Sequence, residues 1–407
     1  MNDTTTISVI VVSQGRPDHL RRCLLGLSQQ YYKDFEVIVV ADEAGCKTAA
    51  KYPSAKTQKT DIKNISAARN LGIKQAAGTL IAFIDDDAVP EPTWLCNLSE
   101  AFKDQGVAAA TGFVRGRNGI SFQWRGRLVN GQSQTLPITT KSDDPMIVGQ
   151  QDGWVLKLEG TNMMFRAAVL REIGGFDERL HFYLDETDVG VRLGLAGYKM
   201  ALCPMAQVHH GFAASQRRTQ SRAPKSLVEI GASLAIYLNK YHENDDYLAE
   251  ERTAQRKRLL KFMIKGELAP SQIEPLLDSF DEGVAQAKTR EITMPKLACA
   301  ANFKTFATST HDVPTQFLTG RPWQRKQLMA QAQSMLAMGQ RAHIFVFSPT
   351  ALFHRIDFTE AGVWVQAGGI FGRSDRNQPL VQRMTFNARA AHEKCSRKTL
   401  QHPKIPQ

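Results

Sequence analysis

Residues 79–92 read TLIAFIDDDAVPEP. Six mostly apolar residues run into three consecutive carboxylates, Asp85, Asp86 and Asp87, and then into Pro90 and Pro92. A run that stays apolar without alternation is a strand buried on both faces, the habit of parallel sheets covered by helices. The carboxylates then fall at the strand's exit edge, where open α/β sheets bind ligands. Three acids in a row repel, and a divalent cation is the economical way to make them tolerable. In isolation, a solvated turn is the commoner explanation of such a cluster.

Working outward, similar runs stand at 7–12 (ISVIVV), 35–40 (FEVIVV) and 107–110 (VAAA). Arg16-Pro17-Asp18 opens a helix running to about Gln30, and Asn64-Ile65-Ser66 opens another that ends before Gly78. Strands alternating with helices predict βαβ units. Residues 115–153 are rich in glycine, arginine and polar side chains without a sustained period, and are read as a long functional loop. A helix over 166–173, the Gly174-Gly175 turn, a helix over 186–196 and a short strand before His209 complete this unit. Beyond residue 222 come long helical patterns, Leu227 to Tyr241, Tyr247 to Lys265 and Ser271 to Lys288, then a helix from Trp323 to Met338. The runs HIFVF, ALFHRIDF and GVWVQ predict a small antiparallel sheet, and the basic tail after Ala390 is expected to fray. The fold class expected is α/β, a mixed and mostly parallel sheet flanked by helices, with a C-terminal α+β appendage. The division falls at 1–222 and 223–407.

The chain has 407 residues, 43% apolar and 22% charged, which suits a folded globule and not a disordered one. Lysine and arginine exceed aspartate and glutamate by 51 to 40, giving +11. Such a balance attracts nucleotide phosphates, nucleic acid or an anionic membrane face. No nucleic-acid-binding motif is present, so nucleic acid is not expected as a partner. Cys23, Cys46, Cys96, Cys203, Cys299 and Cys395 form no CxxC pair, which excludes a zinc ribbon and fits a reducing compartment. No signal-peptide pattern and no apolar run of about 20 residues occur. The expected location is cytoplasmic, with peripheral contact at the inner face of the membrane. Neither GxGxxG nor a P-loop string is found.

Further candidate residues collect at strand exits: Ser13 to Asp18, Asp42 and Glu43, and Arg69-Asn70. Carboxylates there can accept from a base or ribose, and an arginine can clamp a diphosphate. Asp185, Glu186 and Asp188 gather where an amphipathic helix begins. The positive helix end welcomes acids and Asp185 is a natural N-cap, yet three exceed what capping needs. One directed into the cleft can act as general base toward a hydroxyl. His209 and His210 end a strand, where neighbours point to opposite sides, so only one can face a metal.

Read in order, SVIVVSQGRPDHL, FEVIVVADEA, NISAARNLG, FIDDDAVPEPTWL, GTNMMFRAAVLREIGGFDERL and DETDVGVRLGLAGYKM resemble the successive motifs of family 2 glycosyltransferases over roughly residues 6–215. The resemblance implies a GT-A fold, a nucleotide-diphospho-sugar donor and a divalent cation, Mn or Mg. It implies that Asp42 meets the nucleotide base and that Arg69 lies at the donor diphosphate, with Ser13, Arg16, Asp85 and Asp86 also on the donor side. Asp85 and Asp87 match the outer acids of the DxD motif, Asp87 as direct metal ligand, and His210, four residues after Ala206, matches the late metal-binding histidine. Where the family usually has Glu-Asp, this chain has Asp185-Glu186. Glu186 occupies the catalytic-base position, and Asp185 stays a candidate. Gly160, Thr161, Asn162 and Asp188 are assigned to the acceptor side. The acceptor class is a saccharide, lipid-linked or protein hydroxyl.

Residues 223–407 resemble no family in their motifs. They are expected to recognise acceptor or to form a homo-oligomer contact, and Trp323 and Trp364 either stack on sugar or fill core. Two other functions compete with transfer. One is a nucleotidyltransferase, and the other a non-catalytic sugar-nucleotide-binding scaffold left by the acid swap.

Overall fold

The computed structural model describes residues 5–211, 218–219, 221–242, 246–293, 295–298, 301–310 and 312–402. Its first half opens with β1 (Ile7–Ser13), α1 (Pro17–Leu27), β2 (Phe35–Ala41), α2 (Glu43–Ala49), β3 (Lys56–Lys59), α3 (Ile65–Gln75) and β4 (Leu80–Asp85). The helix starts follow from local chemistry. Pro17 sits in the first turn of α1, while the Asp42 and Asn64 side chains accept from the Gly45 and Ala67 amides and cap α2 and α3. β5 (Ala88–Pro90), α4 (Trp94–Ser99) and β6 (Val107–Arg115) follow. Next come β7 (Phe122–Trp124), β8 (Gly126–Val129), β9 (Thr135–Ile138), β10 (Met146–Val148), β11 (Val155–Leu156) and β12 (Met163–Arg166). The half ends with α5 (Ala167–Glu172), α6 (Asp185–Leu195) and β13 (Lys199–His210).

The large sheet runs β10-β13-β6-β12-β4-β1-β2-β3, with β5 on β13 and β7 on β6. β4, β1, β2 and β3 are mutually parallel, as are β6 and β13, while β12 is antiparallel to both neighbours. The expected mixed, mostly parallel α/β architecture is thus what the chain builds. Alternation along β1 sends Val9 and Val11 into one core with Leu24 of α1 and Trp94 of α4, and Ile10 into the other with Phe83, Ile73 and Leu170. β8, β9 and β11 form a separate three-stranded antiparallel sheet.

The second half has α7 (Val228–Tyr241), α8 (Asp246–Ile264) and α9 (Ile273–Ala287), then β14 (Gln316–Gly320), α10 (Arg325–Ala337), β15 (Ala342–Ser348), β16 (Arg355–Phe358), β17 (Trp364–Gly369) and α11 (Phe386–Gln401). Leu234 of α7 and Leu277 and Phe280 of α9 share a hydrophobic cluster with Phe83 and Leu193. α7 and α9 cross closely: a Cβ on Gly283 would sit 2.0 Å from the Val228 carbonyl oxygen, and one on Gly231 2.2 Å from that of Phe280. No helix among the described residues is long and apolar enough to cross a membrane. Cys23, Cys46, Cys96, Cys203 and Cys395 are free thiols, and Cys299 lies outside the described residues.

Three expectations are corrected. Residues 115–153 are not an aperiodic loop but carry four strands of three or four residues, too short for a period to show in the sequence. The C-terminal sheet, ordered β14-β15-β17-β16, is parallel along β14, β15 and β17, and only β16 is antiparallel. α10 makes the crossover that parallel pairing of β14 with β15 requires. Residues 391–401 of the tail belong to α11, which Thr385 caps and whose Arg389, Arg397 and Leu400 are buried, and residues 403–407 lie outside the described residues.

Candidate active site

Parallel pairing puts Val12 of β1 opposite Asp85 of β4, so the first strand's exit loop lies against the acidic turn. The three acids there have different environments. Asp86 is fully buried, accepting from the Ser13 hydroxyl at 2.7 Å and pairing with Arg16 at 2.6 Å. Burial pushes its carboxyl up, against the opposing pull of Arg16. Asp85 and Asp87 instead converge with His210: its Nε2 lies 3.1 Å from Asp87 Oδ1 and 3.9 Å from Asp85 Oδ2. One ligand atom from each of the three lies within 4.8 Å of the others. Two carboxylates and an imidazole suit Mn2+ or Mg2+, so the residues present fit the implied cation. Gln123 of β7 meets His210 Nδ1 at 2.9 Å, the outer contact that orients a metal-binding imidazole.

β13 reaches this turn because β5 pairs with its end, Val89 opposite His209 and Ala88 opposite His210. Alternation turns His209 the other way, where Nε2 meets Glu91 at 2.7 Å and the ring packs on Trp364, centroids 4.6 Å apart. Burial pushes His209 down to about 4, against Glu91, so its neutral ring donates to that carboxylate. Glu91 is itself buried, and although burial would lift its carboxyl, Arg397 of α11, then His209 and Arg115, hold it well down, while Gln401 also donates to it.

The third group is built on α3, α6 and the segment after β11. Arg69 donates to Asp185 and to the Gly160 carbonyl at 3.1 Å, and approaches Asp85 at 3.7 Å. Glu186 stands at the side of this cluster. Its Oε1 accepts from Lys157 Nζ at 3.0 Å, while a Cβ on Gly160 would lie 3.6 Å from its Oε2. The adjacent acids diverge electrostatically. Burial pushes Asp185 up, with Glu186 adding repulsion against Arg69, whereas Lys157 and Arg69 together outweigh burial at Glu186 and hold it down at about 2.

Several assigned residues also make contacts within the fold. Ser13 and Asp86 face each other inside the protein and not the donor surface. Asp42 accepts from the Gly15 amide at 2.6 Å and the Gly45 amide at 2.8 Å, tying the β1 exit loop to α2. Asn162 is not on an acceptor surface: it is fully buried, accepting from the Trp94 indole at 2.8 Å and donating to the Phe113 and Ala206 carbonyls. Thr161 is buried with its hydroxyl unpaired. Asp188 is likewise buried and belongs to the α6–α7 contact, bound by Arg192, Lys240 and Tyr241. Capping holds Asp42, hydrogen bonds hold Ser13 and Asn162, and ion pairs hold Asp86 and Asp188, contacts that a motif cannot reveal. Lys157, Gln123 and Glu91 went unassigned in the sequence, because a lone charged or amide residue carries no periodic signal.

Trp323 is 75% exposed, and Trp364 is core, packed on His209 and Phe358. β16 brings the C-terminal half to the site. Ile356, Asp357 and Phe358 line a cavity together with Asp87, His210 and Arg22.

Residues 8–174 match the family model described as glycosyl transferase family 2. The O-antigen biosynthesis protein RfbC of Myxococcus xanthus is 27% identical over 242 residues, 53% of this chain and 18% of that protein. The N-acetylglucosaminyl-diphospho-decaprenol L-rhamnosyltransferase of Mycobacterium tuberculosis is 30% identical over 118 residues, 29% of this chain and 33% of that protein. This chain therefore spans less than half the length of these relatives. Among solved structures, GalNAc-T7 with UDP, GalNAc and Mn2+ overlays with a TM-score of 0.47 at 14% identity, over 72% of this chain and 59% of that one, too loosely to carry an argument. The sequence match to the glycosyl transferase family 2 model runs from within β1 past the end of α5 and includes the acidic turn.

Proposed function

We propose that this protein transfers a sugar from a nucleotide diphosphate donor to an acceptor hydroxyl with inversion, and that it acts in cell-surface polysaccharide or glycoconjugate synthesis. The observation that carries the reading is the convergence of Asp85, Asp87 and His210 beside Arg69 and Glu186. Asp85, Asp87 and His210 would hold a divalent cation, which supplies Lewis-acid stabilisation of the departing diphosphate. Arg69, fixed by Asp185 and the Gly160 carbonyl, would place its guanidinium at the diphosphate. Glu186 would take the acceptor proton on Oε2, as the acceptor oxygen bonds to the anomeric carbon and the bond to the diphosphate breaks. Asp185 then positions Arg69 and does not itself serve as base. The names of the relatives, an O-antigen protein and a rhamnosyltransferase on a lipid-linked sugar, support a saccharide or lipid-linked acceptor. Residues 1–222 would carry the reacting groups and residues 223–407 would wall and brace them. Five free thiols favour a reducing compartment, the cytoplasm.

The test is a panel of nucleotide sugars with Mn2+ or Mg2+, reading the thermal shift and the nucleotide product, repeated on Asp87→Ala and Glu186→Gln. Metal-dependent stabilisation by one donor and release of nucleoside diphosphate, with the first lost in Asp87→Ala and the second in Glu186→Gln, is expected. Pyrophosphate as product would replace the reading with nucleotidyl transfer. Donor binding with no turnover under any acceptor would replace it with a scaffold role.

A further inference from the structure

β14, β15 and β17 are parallel neighbours, so the segments leaving them, 321–324, 349–354 and 370–381, emerge at one edge of the C-terminal sheet. Each leaves large apolar side chains in water. Trp323 is 75% exposed, Leu352 63%, Phe353 60%, Leu380 62% and Val381 60%. Single exposed apolar residues are ordinary, but five at one edge are not. The same edge is basic: residues 321–326, 349–355 and 370–383 contain seven arginines or lysines and one acid, Asp375, with Arg355 further paired to Asp357 at 2.8 Å, which leaves six of the seven cations without that partner. Arg321 lies over Phe386 at 4.2 Å and Arg373 over Phe353 at 5.1 Å, so cations and apolar rings are interleaved.

We propose that this edge docks on an anionic lipid surface, with the apolar loop tips entering the headgroup region and the arginines and lysines meeting lipid phosphates. Two copies facing each other through this edge would set like charge against like charge. A bilayer offers dense anionic charge everywhere and accepts irregular loop tips without a matching shape. Docking also has a consequence for the cavity beside Asp87 and His210. β16 starts at this edge, where Arg355 pairs with Ala367, and three residues later its Phe358 lines that cavity. At about 3.3 Å per residue, the cavity then lies roughly 10 Å along the strand from the headgroups. The docking surface stands on its own observations and does not depend on the transfer reading.

The test is flotation of the full chain with phosphatidylcholine vesicles, with and without phosphatidylglycerol, at low and high salt. Three variants accompany it: Trp323→Ser, the double Leu352→Ser/Phe353→Ser and the double Arg325→Glu/Lys326→Glu. The wild type should float only with phosphatidylglycerol vesicles and be released by salt. Each double variant should bind at least about tenfold more weakly, and Trp323→Ser measurably more weakly, with melting temperature unchanged. The proposal is overturned if the wild type stays off the anionic vesicles, or if it binds both compositions equally and the variants bind as it does. It is equally overturned if sedimentation shows that the variants convert a wild-type dimer to monomer without altering flotation.

Discussion

Replacing Lys157 with methionine separates the roles of the two adjacent acids. Lys157 Nζ lies 3.0 Å from Glu186 Oε1, and both side chains are mostly buried, 12% and 17% exposed. Burial by itself would lift the Glu186 carboxyl; Lys157 and then Arg69 hold it down at about 2. At that separation and an effective dielectric of about 20, the Coulomb attraction is roughly 5 kcal/mol, or about four pH units. Arg69 remains in the variant, so a rise of at least about two units is expected. A general base works deprotonated, and activity falls as pH drops through its pKa. The acid limb of kcat/KM, measured at saturating cation, should therefore move up by about two units or more in Lys157→Met. The plateau need not collapse, since a carboxylate of higher pKa is the stronger base. Stability carries the same sign. A depressed Glu186 contributes stability that is present above its unfolded value of about 4.5 and lost as pH falls toward 2, so the variant should lose more melting temperature at pH 7 than at pH 3. Superimposable pH–rate profiles would refute the assignment of Glu186, as would a Glu186→Gln enzyme with full activity.

Three further outcomes follow from the geometry. His210→Ala removes one of three donors, and the Mn2+ concentration needed for half-maximal donor-dependent stabilisation should rise at least about tenfold, as losses at metal sites do; an unchanged titration would remove His210 from the set. Arg397→Ala strands the buried Glu91 charge and should cost about 3–5 kcal/mol in urea unfolding. A loss below about 1 kcal/mol would mean that α11 does not engage the sheet in solution. Gly283→Ala places a Cβ 2.0 Å from the Val228 carbonyl and should cost about 1–3 kcal/mol, read as a lower melting temperature. An unchanged melting temperature would refute the close α7–α9 crossing.

The parallel half of the fold was legible because its strands are buried on both faces, so ISVIVV, FEVIVV and TLIAFI carry an unbroken signal. The helices α7, α8 and α9 were legible within a few residues because each is a long stretch of 14 to 19 positions, and α9 adds an apolar face of Ile273, Leu276, Leu277 and Phe280. β7 to β10, each of three or four residues, were not, since two alternations cannot be distinguished from chance. At the site, residue types were readable and their directions were not. Three acids in DDD are equivalent on paper. Only the turn after β4 decides that Asp86 goes inward to Ser13 and Arg16, leaving Asp85 and Asp87 to His210. Counter-charges were the least legible. Lys157 sits 29 positions before Glu186, and Arg397 sits 306 after Glu91, separations at which no local pattern survives.

Those long-range partners bear on where the chain can be divided. A fragment ending at residue 222 keeps the family segment and the metal-site residues, but it lacks Arg397 and Gln401. Glu91, fully buried behind the strand end that bears His209 and His210, would lose Arg397, the strongest of the groups that hold it ionised, and the Gln401 donor. It would also lose Trp364 from the His209 ring and the α7 and α9 side chains that finish the core around Phe83. Breaking a buried ion pair from one side alone costs several kcal/mol, comparable with the whole stability of an ordinary domain. The fragment is therefore expected to be unfolded or molten, with lost near-ultraviolet circular dichroism and no cation-dependent thermal shift. A cooperative unfolding transition in the isolated fragment, with the Mn2+ response of the full chain, would show that Glu91 finds another counter-charge and that the C-terminal half does not brace the site.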